Sequence, residues 1–211
     1  MKMARDMTTK RISVFPLAGA LLFPGSHLPL HIFEPRYRAL VSDALARDRQ
    51  IGMIQPRENG PKPKLYAIGC LGRITECEAL DDGCFNIVLE GVARFHVIRE
   101  MDVTTPFRQV EAELEPEDVE GEAVLAAATR AALEQEARRF AEHLGYVVDW
   151  SAVSRLDDVA FVNGIAQVAP FDVASKQSLL EADSFDERVE RTIQLMQFFG
   201  HANNEQPPTL Q

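Results

Sequence analysis

Between Phe15 and Pro35 the chain alternates apolar runs with prolines at positions 16, 24, 29 and 35. Proline fixes φ and has no N–H to donate, so it confines regular strands to short or edge pieces. A stretch this apolar and this interrupted folds as two or three short strands bent around a core, over residues 12–33. Glu34-Pro35 then opens a helix. Proline suits a first turn, where its missing N–H is no loss, and an acidic neighbour suits the helix dipole. Tyr37, Leu40, Val41, Ala44 and Leu45 recur at i, i+3, i+4, i+7 and i+8, giving that helix one apolar face.

More strands follow. Ile51–Gln55 is short, and residues 57–64 form a polar Gly/Pro loop. Runs at Ile68–Ala79 and Phe85–Leu89 flank Asp81-Asp82-Gly83, a hairpin turn, and Gly91–Ile98 and Phe107–Leu114 complete the set. Val110, Ala112 and Leu114 alternate with Glu111, Glu113 and Glu115, the mark of a strand with one wet face. Successive strands joined by turns, with one inserted helix, indicate a partly closed antiparallel barrel. From residue 117 the period changes to that of helices: Val119–Leu144 with Gly145 as its stop, Leu156–Val168 halted before Pro170, and Asp172–Ala182 with Asp172 as N-cap. A fourth begins at the capping box Ser184-x-x-Glu187 and ends at Gly200. The reading is α+β: a lead-in over 1–11, a β-rich domain over 12–116, a helical bundle over 117–200 and a loose tail over 201–211.

Charge and cysteine content narrow the function. Residues 1–110 carry 15 Lys and Arg against 12 Asp and Glu, whereas residues 111–211 carry 7 against 20. So acidic a second half argues against a nucleic-acid partner, since phosphate contacts need clustered cations. The acidic run from Glu111 to Glu122 reads first as a solvated edge, second as a docking surface for a basic partner. Cys70, Cys77 and Cys84 cannot all pair with one another, and their spacing of seven lacks the tight pairs of a metal site, so they read as reduced thiols. With no export signal and no apolar run long enough to span a bilayer, the expectation is a cytoplasmic protein without a membrane partner.

Sequence motifs for catalysis are missing. There is no G-x-x-x-x-G-K-[ST], G-x-S-x-G, H-E-x-x-H or G-x-G-x-x-G in the chain. Ser175-Lys176 is a Ser-Lys pair, but adjacent residues on a helix point in different directions. His27 and His31 flank Pro29, which opposes a helical metal pair, and His96 and His143 read as structural. No catalytic residue, metal ligand or cofactor is expected.

The opening motif, Phe15–Leu17 with Leu22–Gly25 and Leu30–Tyr37, resembles the amino-terminal domain of Lon proteases. Further stretches are similar to that family: Ile68-Gly69 with Gly72–Ile74, Asp82-Gly83 leading into Ile87–Phe95, and Lys176-Gln177 with Leu179–Glu181. The resemblance implies a PUA-like pseudo-barrel followed by a helical bundle. It implies a recognition module for unfolded or tagged polypeptides, in a standalone bacterial form without the ATPase and protease that follow in full-length members. Its polar core is Glu34, Arg36 and Tyr37. With Phe33 these are the candidate polypeptide-binding residues, in a groove where helix meets barrel; the structural alternative has Glu34 capping the helix, Arg36 meeting a carbonyl or carboxylate, and Tyr37 packing. The expected partners are unfolded or peptide segments and a Lon-type protease in trans, for which the chain would be an adaptor. RNA binding through a PUA-like barrel and a hydrolase with an unrecognised site are the alternatives.

Overall fold

A computed structural model describes residues 8–116 and 123–202, with side chains through Gly200. The chain divides into two compact units, with the division among residues 117–122. The first contains strands β1 (Thr8–Pro16), β2 (His27–Ile32), β3 (Gln50–Ile54), β4 (Ile68–Ala79), β5 (Phe85–Glu100) and β6 (Arg108–Leu114), with helix α1 (Pro35–Leu45) after β2. The second contains α2 (Ala127–His143), α3 (Trp150–Val153), α4 (Asp158–Val168), α5 (Val173–Leu180) and α6 (Phe185–Ala202). The architecture is mixed α and β.

The sheet order is β2-β5-β4-β3-β1-β6, and β6 also pairs with β5, so five strands form a closed circuit with β2 attached outside it. One long edge of β5 makes this possible. Its first part, Phe85–Glu90, pairs with β2 and its last part, Phe95–Glu100, pairs with β6. Register shifts at Leu71/Gly72, Ile74/Glu76 and Val97/Arg99 relieve the bending this requires. Inside lie Ile12, Val14, Ile54, Leu71, Phe95, Val110 and Ala112. All these side chains come from alternate strand positions, which is how a pleated strand presents one face.

The proline-rich motif builds the corner of this circuit. Phe23-Pro24-Gly25-Ser26 is a β-turn closed by Ser26 N–H donating to the Phe23 carbonyl at 3.0 Å. Proline sits at its second position and Gly25 at its third with φ 74°, the left-handed geometry that favours glycine in a type II turn. The turn lies against Gly91, whose N–H donates to the Ser26 carbonyl and whose carbonyl accepts from Gly25, both at 2.9 Å. A Cβ at Gly91 would stand 2.0 Å from the Phe23 carbonyl oxygen. Since Gly91 N–H bonds to the Ser26 carbonyl opposite it, alternation leaves Pro29, opposite Val88, at a position that donates nothing to β5. Its missing N–H therefore blunts the outer edge of β2 at no loss to the ladder.

Several sequence expectations change. The ring is not wholly antiparallel, because β1 and β3 pair parallel from Val14↔Gly52 to Pro16↔Ile54. The intervening β2 and α1 supply the long crossover that a parallel pair needs. Phe85–Leu89 and Gly91–Ile98 are one strand, with Gly91 a point of close approach rather than a break. Thr8–Arg11, expected in the lead-in, pair with Leu114–Glu111 in β1. Residues 1–7, 117–122 and 203–211 lie outside the described residues, including the expected start of a helix at Val119 and most of the acidic run. The helix expected from there is described from Ala127. α4 begins at Asp158 instead of Leu156, since the Asp157 carboxylate accepts from Ala160 N–H at 2.7 Å and caps it. α6 continues through Gly200 to Ala202.

In the helical unit the core includes Leu133, Val162, Leu179, Val189 and Met196. The expected caps form: Asp172 accepts from Ser175 N–H at 2.7 Å, and Ser184 Oγ from Glu187 N–H at 3.2 Å. The Glu187 carboxylate reaches Asp183 N–H at 2.8 Å, one residue earlier than an ideal capping box. Arg188 is fully buried and donates to the Leu179 carbonyl and Asn163 Oδ1. Lys176, also buried, donates to the Gln167 carbonyl at 2.8 Å, and burial pushes its ammonium below its ordinary range. The motif residues Lys176, Gln177, Leu179 and Leu180 are thus interior to the packing.

Candidate functional site

The four residues singled out from sequence sit at the start of α1, where they take different roles. Tyr37 is buried, its ring 4.1 Å from that of Phe15, and its hydroxyl donates to the Pro16 carbonyl at 3.4 Å. Burial pushes its phenol up. Glu34 does not cap α1 with its side chain. Its backbone carbonyl accepts from Tyr37 and Arg38 N–H, while its carboxylate pairs with Arg36 at 2.9 Å. Arg36 also lies 4.4 Å over the Tyr37 ring. Both ion-pair partners are largely exposed, so the pair adds little stability. Phe33 alone offers apolar surface: it is 61% exposed, with His31 stacked beside it at 6.1 Å.

Two cavities differ in kind. A cleft of about 410 Å³ beside β1 and α1 is polar, and its cations are engaged: Lys10 with Asp48 at 2.9 Å, Arg47 with Asp43 at 3.0 Å, and Arg11 by donating to Gln109 Oε1. The other, about 250 Å³, lies in the helical unit and is lined almost wholly by hydrocarbon, with Phe140, Tyr146, Trp150, Phe161, Val168 and Met196 around it. Ligand sites are concave and mostly apolar, so the second is the stronger candidate.

Its walls follow from local sequence. α2 ends in a Schellman turn: Gly145 has φ 73°, its N–H donates to the Glu142 carbonyl, and Tyr146 N–H reaches back to the Ala141 carbonyl at 2.8 Å. That turn sets Tyr146 beside Ala141, and both line the groove. Asp149 caps the single turn of α3 by accepting from Ser151 and Ala152 N–H, which fixes Trp150 as the next wall. α4 supplies the floor, including Gly164, where a Cβ would meet nothing within 4 Å. Tyr146 is 51% and Val168 79% exposed at the mouth. Phe140 packs in the core against Phe171, which meets Phe199 and then Phe198, rings 5.3–5.7 Å apart, and only Phe198 at the end of this chain is exposed, at 67%. A periodicity search misses this site because Tyr146-Val147-Val148 falls outside any helix. Its signal is an apolar triplet after a helix stop, next to the only tryptophan of the chain.

Glu115, at the end of β6, accepts from Arg94 at 2.8 Å and contacts His96 Nε2 at 2.6 Å. Burial pushes its carboxyl up, but His96 and Arg94 more than offset this and hold it below the usual range. Cys70 and Cys84 are buried and Cys77 exposed, all as free thiols. Among the described residues no three metal-ligating side chains converge, and no helix is long and apolar enough to cross a membrane.

The site can be set beside known proteins. Residues 11–197 match the family described as the ATP-dependent protease La (LON) substrate-binding domain. Lon protease 2 of Sorangium cellulosum is 31% identical over 84% of this chain, and Lon protease 2 of Herpetosiphon aurantiacus 26% identical over 87%. In each case the aligned part is 23% of the relative's length, so the chain spans about a quarter of these proteins. In fold it is similar to the N-terminal domain of Mycobacterium avium complex Lon protease, with TM-score 0.64, 20% identity, and coverage of 89% of this chain and 98% of that one. The Lon N-terminal domain protein from Xanthomonas campestris gives TM-score 0.62, 21% identity, and coverage of 90% and 98%. The chain belongs to the Lon substrate-binding domain family.

Proposed function

We propose that this chain is a non-catalytic recognition module that binds apolar segments of unfolded or tagged polypeptides. One observation carries the reading: the helical unit holds an apolar groove of about 250 Å³ with large side chains exposed at its mouth. Exposed apolar surface of this kind marks partner sites. Family membership supports the same reading. Phe33, with the Glu34–Arg36 pair beside it and Tyr37 supporting them from the core, is a separate candidate contact within the strand unit. Within the same proposal the strand circuit is a PUA-like pseudo-barrel, α2–α6 form a helical bundle, and the protein works in the cytoplasm. An adaptor role, delivering a bound segment to a Lon-type protease in trans, adds a partner to the module without changing its site.

The test is fluorescence anisotropy of a labelled, permanently unfolded polypeptide titrated with the protein, with a folded protein and an RNA oligomer as controls. Saturable binding of the unfolded chain alone is expected. Binding of RNA alone overturns the reading in favour of a nucleic-acid module, and binding of neither removes polypeptide recognition.

A further inference from the structure

One charged group stacks on a wall of the groove. Arg138, on α2, is half-buried with its guanidinium carbon 4.3 Å over the ring of Trp150, a wall of the groove. Among the described residues it makes no hydrogen bond and no ion pair. The other arginines of α2 are paired: Arg130 with Glu134 at 3.0 Å and Asp158 at 2.7 Å, Arg139 with Glu136 at 3.8 Å. Of the carboxylates at i±4 from Arg138, Glu134 is therefore taken, and Glu142 forms no pair with it. Asp149 and Asp157, near the rim in sequence, are turned onto backbone N–H groups as helix caps. A guanidinium held on an aromatic face keeps its in-plane N–H donors free for a planar carboxylate. The apolar wall beside it excludes water and strengthens such a pairing.

We propose that the groove selects internal polypeptide segments in which a large apolar side chain lies within two residues of an Asp or Glu. The apolar side chain fills the groove and the carboxylate pairs with Arg138. This rests on the reading of the groove as the polypeptide site. An internal segment fits because Tyr146 and Val168 stand exposed at the mouth, so a bound chain can run on past it.

The sole tryptophan reports occupancy directly, since Trp150 is part of the wall. Three short peptides share one Phe anchor. Two are capped at both ends and carry either Glu or Gln two residues from the anchor; the third is the Gln peptide with a free carboxyl end. The Glu peptide is expected to bind about two- to five-fold tighter than the capped Gln peptide at low salt, the range of a partly exposed pair. Arg138→Gln should remove that difference, and Arg139→Gln should preserve it. Equal affinity for the capped peptides in the native protein overturns the acidic preference while leaving polypeptide recognition intact. A preference that survives Arg138→Gln overturns the role of Arg138. Tight binding of the free-ended peptide alone overturns the internal segment in favour of a chain end. No response of Trp150 to any peptide defeats the groove reading itself.

Discussion

The two units place their apolar residues differently. In the strand unit the circuit seals Val14, Phe95, Val110 and Ala112 inside and Tyr37 packs beneath the start of α1, while Phe33 and Ile98 stand apart and exposed. In the helical unit Phe140, Phe161 and Met196 are buried yet border an open groove, and Tyr146, Val168 and Phe198 remain in water. The stretches most recognisable in the sequence fall mainly in the first unit, and there they serve construction. Gly25 permits a turn, Gly91 lets that turn touch β5, and Pro29 blunts an edge. Dense motifs mark backbone that tolerates few residues, whereas a recognition surface needs only to stay apolar and open.

The contrast can be broken by substitution, starting where the effect is largest. Tyr37→Ala should destabilise the strand unit by about 4 kcal/mol, the range for emptying a buried aromatic site. Tyr37→Phe should lose well under 1 kcal/mol, because the hydroxyl bond to Pro16 is long at 3.4 Å. Urea denaturation of both variants checks this, and equal midpoints would mean that Tyr37 is not part of the packing. Gly91→Ala follows at about 3 kcal/mol, because the added methyl meets a backbone carbonyl that cannot swing aside.

Glu115→Gln should cost roughly 2 kcal/mol near neutral pH by leaving buried Arg94 without its carboxylate. The pH dependence has a definite sign. The folded Glu115 carboxyl sits below its ordinary range, so its stabilisation is complete above the unfolded value of about 4.3. It is lost as pH falls through the lower folded value. Native protein should therefore lose stability on acidification below about pH 4.3 more steeply than the Gln variant. Parallel pH profiles would show that Glu115 contributes nothing.

The smallest change sharpens the comparison most. Gly164→Ala, facing open space in α4, should stabilise the helical unit by about 0.5–1 kcal/mol, the helix propensity difference. The same one-methyl change is thus expected to have opposite signs in the two units. A destabilised Gly164→Ala protein would mean that the groove is closed in solution.

Much of the fold is readable from residue pattern. The break at Pro16, Pro24 and Pro29, the face of α1, the hairpin at Asp82-Gly83 and the caps at Asp172 and Ser184 all rest on local rules. What escapes is non-local. The parallel pairing of β1 with β3 depends on where α1 delivers the chain, and the continuity of β5 through Gly91 depends on a turn 65 residues earlier at Ser26. At the site, residue type pointed to Phe33, Glu34, Arg36 and Tyr37, but type alone does not separate a buried tyrosine from an exposed one. The groove escaped because its walls come from a helix end, a single turn and a second helix, with no shared period.

The most direct test uses the groove itself. Gly164→Leu should project a side chain into it, since a Cβ there meets nothing within 4 Å, and Phe33→Ser removes the exposed ring of the strand unit. Both variants and the native protein are titrated against the labelled unfolded polypeptide, with folding verified by circular dichroism. The account predicts that Gly164→Leu weakens binding at least about ten-fold, a loss of roughly 1.4 kcal/mol, while Phe33→Ser changes it far less. Unchanged binding by Gly164→Leu, with loss in Phe33→Ser, would contradict it and move recognition to the start of α1.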